Sequence, residues 1–436
     1  MKVCVISDDL TGASDCGGQL VRYGLDVSVV IQSQNSNRKE KEALIFNTDS
    51  RSVPAKEAYE RVKKVSEWVK SGSFDMIYKK IDSTMRGNIG QEINAIYDTF
   101  HPDFVFIAPA FPEAGRQVIH GVHFLNQKQL HETEVANDPK TPVKDSLISR
   151  LIKDQSGREV GHLSYKDLHK GYETVFKKLV AFKKQNISYI TVDSVHESDL
   201  KCLVDIVKYT EFSVIYAGST GLINYLPQAY GLKKSKKVIE LQKNEKPVLF
   251  VIGSVSKIGR NQLNQLLINS DTVGLEVKSE KLFLDIASKQ NEINRVIKEA
   301  INSLRKEKSV ALFSSNKVKE TQKIGARHGY SPVEISNYIS MTLGEIAVHL
   351  INYCDINNLF LTGGDTAQQV LSQLGVSEFY LLDEVESGIP LGKLEHTREI
   401  FAVTKAGSFG TNLAMIKSKC KLQGREYKEQ SVSLVK

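Results

Sequence analysis

Short runs of apolar residues alternate with longer stretches whose apolar positions recur at helical spacing, from one end of the chain to the other. This is the rhythm of parallel strands connected by covering helices, and it predicts an α/β fold. Residues 3–6, 43–46, 76–78, 104–107, 189–192 and 214–216 read as strands of a first domain. Residues 54–72 show the intervening element, with Pro54 at a helix start and Gly72 at its end. Residues 231–246 are dense in lysine and poor in apolar clusters, after which Pro247 opens a strongly apolar strand over 248–252. The domain boundary is placed there, giving domains over 1–240 and 247–436. A second series follows, with strands near 311–313, 359–361 and 401–403 and helices around 333–352 and 365–374. The expected architecture is two α/β domains with mostly parallel sheets facing a central cleft.

Five of the strand-like runs end directly in small, polar, glycine-containing loops, beginning at Ser7, Asp82, Gly253, Thr362 and Lys405. In open α/β sheets the ligand crevice lies beyond the carboxyl ends of the strands, so these loops are where a site would be built. The last three, Gly253-Ser254-Val255-Ser256, Thr362-Gly363-Gly364-Asp365-Thr366 and Lys405-Ala406-Gly407-Ser408-Phe409-Gly410, suit phosphate. Glycine lets backbone approach an oxygen-rich ligand, and a following helix offers free N–H groups. Taken singly, each is more often a plain turn between strand and helix, and it is three in one domain that favour a ligand. None is a P-loop: Gly388-Ile389-Pro390-Leu391-Gly392-Lys393-Leu394 comes nearest, but lacks one residue between its glycines and has no Ser or Thr after the lysine. No G-x-G-x-x-G is present, which removes the usual mark of a nicotinamide dehydrogenase.

The first-domain loops carry charge instead. Asp8 and Asp9 are adjacent carboxylates suited to sugar hydroxyls, while Lys79, Lys80 and Arg86 flank Asp82 and suit a carboxylate or phosphate. Arg51 follows another strand and can reach the same crevice. A purely structural reading competes: Asp8 or Asp9 caps the helix that begins near Gly12, and Asp82 pairs with Arg86. His120 and His123 form an H-x-x-H without nearby acidic ligands, which points to a structural or substrate-loop role rather than to a metal.

Composition narrows the classes. With 436 residues, 41% hydrophobic and 25% charged, the chain can bury two cores. The net charge of +7 comes without a basic block, so nucleic acid is not an expected partner. Five scattered cysteines without C-x-x-C spacing argue against disulfides and zinc. The start of the chain has no signal-peptide pattern and no run reaches a membrane span, so a cytoplasmic protein with no membrane partner is expected. Oligomeric state does not follow from the sequence.

Taken together, these segments resemble the four-carbon acid sugar kinase family, which includes D-threonate, D-erythronate and 3-oxo-tetronate kinases. Residues 7–13 are similar to its A-D-D-[LF]-T-G-A, with Ser7 for the usual alanine; residues 80–88 resemble its K-x-D-S-T-x-R-G-N, and residues 109–116 its P-A-F-P-x-x-x-R. The resemblance covers nearly the whole chain. It implies a first domain that binds the sugar acid through Asp9, Arg51, Asp82, Ser83 and Arg86. It implies a second that binds ATP through Ser254, Gly364, Asp365, Gly407, Ser408 and Gly410. The expected reaction is transfer from Mg²⁺-ATP to the C4 hydroxyl, with no metal ligands assigned. Asp365 is the first candidate for proton acceptor, and Asp8, Asp9 and Asp82 compete with it. Residues 131–143 resemble the E-T-E-x-A-x-D-P-x-T-P-V pattern of the D-threonate and D-erythronate branch, which makes D-threonate the first choice and D-erythronate or a 3-oxo-tetronate the alternatives. A nucleotide-responsive sugar-acid sensor is the non-enzyme alternative; ADP release in the presence of acid separates the two.

Overall fold

The computed structural model describes residues 1–31, 41–138, 140–235, 241–407 and 409–427. The chain divides into two compact units, Met1–Lys237 and Val238–Lys436.

In the first unit the strands are β1 (Val3–Ser7), β2 (Val27–Val30), β3 (Ala43–Asn47), β4 (Met76–Lys80), β5 (Phe104–Ala108), β6 (Arg116–Ile119), β7 (Val122–Leu125), β8 (Lys128–Gln129), β9 (Val160–Leu163), β10 (Tyr189–Val192) and β11 (Val214–Gly218). A parallel sheet runs in the order β2-β3-β1-β4-β11-β5-β10-β9. Its inner strands are buried on both faces, which is why β1 and β5 are apolar almost without alternation. Strands β6 to β8 form a separate antiparallel meander. From β1 the chain crosses to β2 and β3 on one side, then to β4 on the other. The carboxyl ends of β3, β1 and β4 therefore meet at a topological switch point, and these are the strands that lead into Arg51, Asp8 and Asp82.

The second unit repeats the scheme with β12 (Val248–Ile252), β13 (Val273–Val277), β14 (Val310–Ser314), β15 (Asn358–Thr362), β16 (Glu378–Glu386), β17 (Ile389–Leu394) and β18 (Ile400–Lys405). The order is β13-β14-β12-β15-β18-β17-β16, parallel through β18 and antiparallel beyond it. Ile252 pairs with Thr362 and Thr362 with Lys405, so three glycine-containing loops leave adjacent strands at one level. A core of Phe250, Ile252, Phe360, Val403 and Met415 lies under them.

The expected strands and helices are present, mostly one or two residues longer than predicted; the helix after Pro54 spans Ala55–Lys70 and the long helix Pro332–Tyr353. Strands β2, β9, β13 and β16 and the meander escape the sequence pattern because they are short or only half buried, and β17 because Pro390 and Gly392 interrupt its apolar run. The segment that imitated a P-loop is β17 itself.

One buried ion pair ties the first unit together. Lys79, on β4, and Glu92, on the helix Ile89–Phe100, are shielded from water and meet at 2.7 Å. Burial pushes the Glu92 carboxyl up, against the pull of Lys79. Removing one partner leaves the other charge buried and uncompensated, which costs about 3–5 kcal/mol. Lys79→Met should lower unfolding stability by that order in urea titration, and a loss under about 1 kcal/mol would show that the pair is dispensable.

Candidate functional site

The helix Leu10–Val21 follows β1 directly, and Asp9 is its N-cap, accepting from Gly12 N–H at 2.9 Å. The capping expectation thus holds for Asp9. Asp8 is 1% exposed, and both of its oxygens are taken by Arg51: Nε at 2.6 Å and Nη2 at 2.9 Å. The remaining Arg51 nitrogen, Nη1, donates to Asp9 Oδ2 at 2.8 Å and lies 3.7 Å from Asp82 Oδ1. Arg51, expected to meet substrate, thus spends its guanidinium on three carboxylates of its own unit.

Asp82 organises the next loop. It accepts from the backbone of Thr84 and Arg86, from the Thr84 hydroxyl, and from Arg86 Nε and Nη2 at 2.9 and 3.1 Å. The expected Asp82–Arg86 pairing is present as well. This tight path requires Met85 and Gly87 at positive φ, 60° and 99°. Arg86 is about one-third exposed and reaches Asp138 with Nη1 at 3.3 Å. Asp138 in turn braces the backbone N–H groups of Lys140 and Thr141.

The electrostatics separate the carboxylates. Burial acts to raise all of them, but Arg51 outweighs it at Asp8, and Arg86 with Arg51 holds Asp82 well below the ordinary range. Asp9 goes the other way, because burial and the neighbouring Asp8 and Asp82 prevail over Arg51. A hollow of about 230 Å³ lies beside this cluster, bordered by Arg51, Gly87, Asn88, Lys140, Thr141 and Gln155. It is below the roughly 300 Å³ of drug-sized pockets, a scale suited to a ligand of few atoms. A larger hollow, of about 570 Å³, lies among Tyr172, Cys202, Ile206 and Tyr209, with no residue from the strand-end loops.

In the second unit, Ser254, Ser256 and Gly407 pack against one another. Ser256 caps the helix Lys257–Asn269 and donates its hydroxyl to Gly407 O at 2.7 Å, and Ser254 Oγ lies 3.1 Å from Ser256 Oγ. Gly363 is the N-cap of the helix Gly364–Gln373 at φ 96°, which disfavours any side chain, and a Cβ there would crowd Ser254 N at 3.2 Å. Gly364 and Asp365 form the first turn of that helix, with Asp365 exposed. Gly410, at φ 82°, is exposed too. Ser408 lies outside the described residues. Among the described residues no group of three or more His, Cys, Asp or Glu is arranged to hold a metal. Nor is any helix of them long and apolar enough to cross a membrane.

A strand-end cluster of charges in one unit and three small-residue loops in the other agree with two family models: a sugar-binding N-terminal domain matches residues 3–226, and a nucleotide-binding C-terminal domain matches residues 249–415. The chain is also 31% identical to a D-threonate kinase of Salmonella typhimurium, over 94% of this chain and 96% of that protein. The chain belongs to the four-carbon acid sugar kinase family. Members of this family are phosphotransferases with an alcohol group as acceptor. A 3-oxo-tetronate kinase of Haemophilus influenzae is 30% identical over 93% of this chain and 96% of that protein. A solved H. influenzae structure of the family DUF1537 has a TM-score of 0.70 and 28% identity, covering 95% of this chain and 99% of that one.

Three residues of this kinase join the cluster without having been singled out from sequence: Thr84, Asp138 and Arg116. Arg116 lies within the electrostatic reach of Asp82 and Arg86, and burial lowers its affinity for the proton. All three stand inside segments that carried the family resemblance, so their signal was present but not their direction. His123, one of the two H-x-x-H histidines, also supports the site. It is fully buried on β7, with Nε2 at 2.9 Å from Ser83 O. Burial lowers its pKa from 6.5 to about 4. The folded protein therefore resists a proton that the unfolded chain accepts: stability is fully present above pH 6.5 and is lost as pH falls towards 4. Between pH 7.5 and 5 this one group should remove about 2 kcal/mol, a loss absent in His123→Gln. Urea midpoints of both proteins at the two pH values test this, and parallel losses would exclude His123 as the source.

Proposed function

We propose that this protein transfers the γ-phosphoryl group of ATP to the C4 hydroxyl of a four-carbon sugar acid, with D-threonate the preferred substrate. The observation that carries the reading is the assembly of Asp9, Asp82 and Arg86 at the switch point of the first unit, beside a small polar hollow. In a kinase of this family, such a cluster supplies acceptors for hydroxyls and a partly exposed guanidinium for a carboxylate. Arg86 anchors the carboxylate, and Arg51 shapes the site by fixing Asp8 and Asp9. Ser83 belongs to the same loop, its carbonyl held by His123. Preference for D-threonate is supported by the 131–143 segment, whose Asp138 meets Arg86. The similarity to the D-threonate kinase points the same way.

The nucleotide lies on the second unit against Ser254, Gly364, Asp365, Gly407, Ser408 and Gly410. Phosphoryl transfer is dominated by positioning and charge stabilisation, which backbone N–H groups at two helix starts can supply. Magnesium usually keeps several waters and binds through one or two carboxylates plus phosphate oxygens. The exposed carboxylate of Asp365 could serve such an ion only in place of acting as a base, so the ion would be held by phosphate oxygens and waters and would supply neutralisation of phosphate charge when bound.

Asp365 accepts the hydroxyl proton, because it stands at the phosphate end of the reaction. Asp8 and Asp82 are poor bases, as their guanidinium partners hold them ionised. Asp9, raised by burial, is the alternative. General-base removal costs about 10²–10⁴ in rate. Asp365→Asn should lower kcat by that order while Asp9→Asn, which keeps a capping side chain, loses less; the opposite ranking would move the role to Asp9.

Substrate identity is tested by ADP release from D-threonate, D- and L-erythronate, L-threonate, 3-oxo-tetronates and neutral tetroses. D-Threonate should exceed its epimers in kcat/KM, because a missing or inverted hydroxyl leaves buried polar groups unpaired. Arg86→Ala should raise the KM for the acid about tenfold or more and leave that for ATP unchanged. Preference for a 3-oxo acid would overturn the substrate, and activity on neutral sugars alone would remove the role of Arg86.

A further inference from the structure

Lys405 ends β18 and is 1% exposed. Its ammonium donates to the carbonyl oxygens of Ala406 at 2.7 Å, Gly407 at 3.1 Å and Phe409 at 3.0 Å. Gln262, wholly buried on the helix Lys257–Asn269, donates Nε2 towards the carbonyls of Phe409, Gly410 and Thr411 at 2.9, 3.2 and 2.8 Å. The loop after β18 is thus built around two side chains that gather its carbonyl oxygens inward.

That arrangement dictates where the amides go. In a planar trans peptide the C=O and the following N–H point in opposite directions. With the carbonyls of Ala406, Phe409 and Gly410 drawn inward, the N–H groups of Gly407, Gly410 and Thr411 are turned to the other face. One of these already serves an anion: Thr411 N–H donates to Glu386 Oε2 at 2.8 Å, and its hydroxyl donates to Oε1 at 2.7 Å. Amides turned outward from such a core are available to an anion. Without donors at the centre, the converging carbonyls would repel one another and be left unpaired, and the backbone would turn.

We propose that Lys405, assisted by Gln262, is a positioning residue of the nucleotide site: it turns the backbone of 406–407 and 409–411 so that the amides of Gly407 and Gly410 face the phosphate chain. This rests on placing the nucleotide at these loops. Its buried charge adds a fixed positive potential behind the amides.

The test uses the full chain, with steady-state kinetics for both substrates, calorimetry with ADP, and urea unfolding to establish that each variant is folded. Lys405→Met should raise the ATP KM and the ADP Kd about tenfold or more, with the acid KM within about twofold. A residue that only supports the fold would lower stability without this split. Gln262→Met removes bonds to the same loop without removing a charge, should give the same split at smaller amplitude, and serves if Lys405→Met does not fold. Gly407→Val is the control for the site itself, since a Cβ there would collide with Ser254 Oγ and meet Ser254 Cβ at 3.1 Å. If Gly407→Val loses ADP affinity while both positioning variants keep it, the role of Lys405 is overturned and the site stands. If all three keep it, the nucleotide lies elsewhere and both readings fall. An equal rise in both KM values for Lys405→Met also overturns the proposal.

Discussion

Arg51 is the interaction on which the first unit's site depends. Its guanidinium comes from the loop after β3 and meets Asp8 and Asp9 after β1, with Asp82 after β4 close by. Without it, three carboxylates would be crowded into a buried corner, where like charges raise one another's proton affinity and destabilise the fold. With it, Asp8 and Asp82 stay ionised while Asp9 keeps a carboxyl of higher proton affinity. Burial opposes the charge of Arg51 itself, but the carboxylates keep it more firmly protonated than a free guanidinium. The result is a cluster whose carboxyls differ in proton affinity and are held at fixed distances, which suits the proposed recognition of hydroxyls and a carboxylate.

The second unit solves a related problem with the opposite kind of partner. Arg51 gathers acidic side chains, whereas Lys405 gathers backbone carbonyls. In the first case the product is a set of fixed acceptors, which the proposed function assigns to a sugar acid. In the second, turning the acceptors inward leaves donors outside, which suits phosphate. Both devices stand at the carboxyl ends of strands around a switch point, where parallel sheets part their connecting helices and leave backbone uncovered.

Supporting contacts extend behind the first cluster. The Lys79–Glu92 pair joins β4 to the next helix directly beneath the Asp82 loop, and His123 holds the carbonyl of Ser83 from the meander. These residues touch neither reactant in the proposed mechanism. They limit how far the loop can drift, and a displacement of about 1 Å in a positioned group can cost about a hundredfold in rate.

The sequence by itself determined the α/β class, most of the central strands, the loops that follow them and the family, because parallel strands buried on both faces are written as continuous apolar runs. It also put forward Asp9, Arg51, Asp82 and Arg86, because they stand in loops just past such strands and match segments of the family resemblance. What it left open was direction. Whether Arg51 faces a ligand or Asp8 depends on strand order, which brings the ends of β3 and β1 side by side from positions over forty residues apart. The capping and pairing alternatives for Asp9 and Asp82 were both realised, and only distances could show that each residue does this while lying in the same cluster. Strand β9 was invisible because Gly161 and His162 interrupt its short apolar run. Lys405 stood at the head of a glycine loop with no role of its own assigned from sequence. Only the tertiary structure buries its ammonium among carbonyl oxygens, because burial is a property of neighbours that the local sequence does not contain.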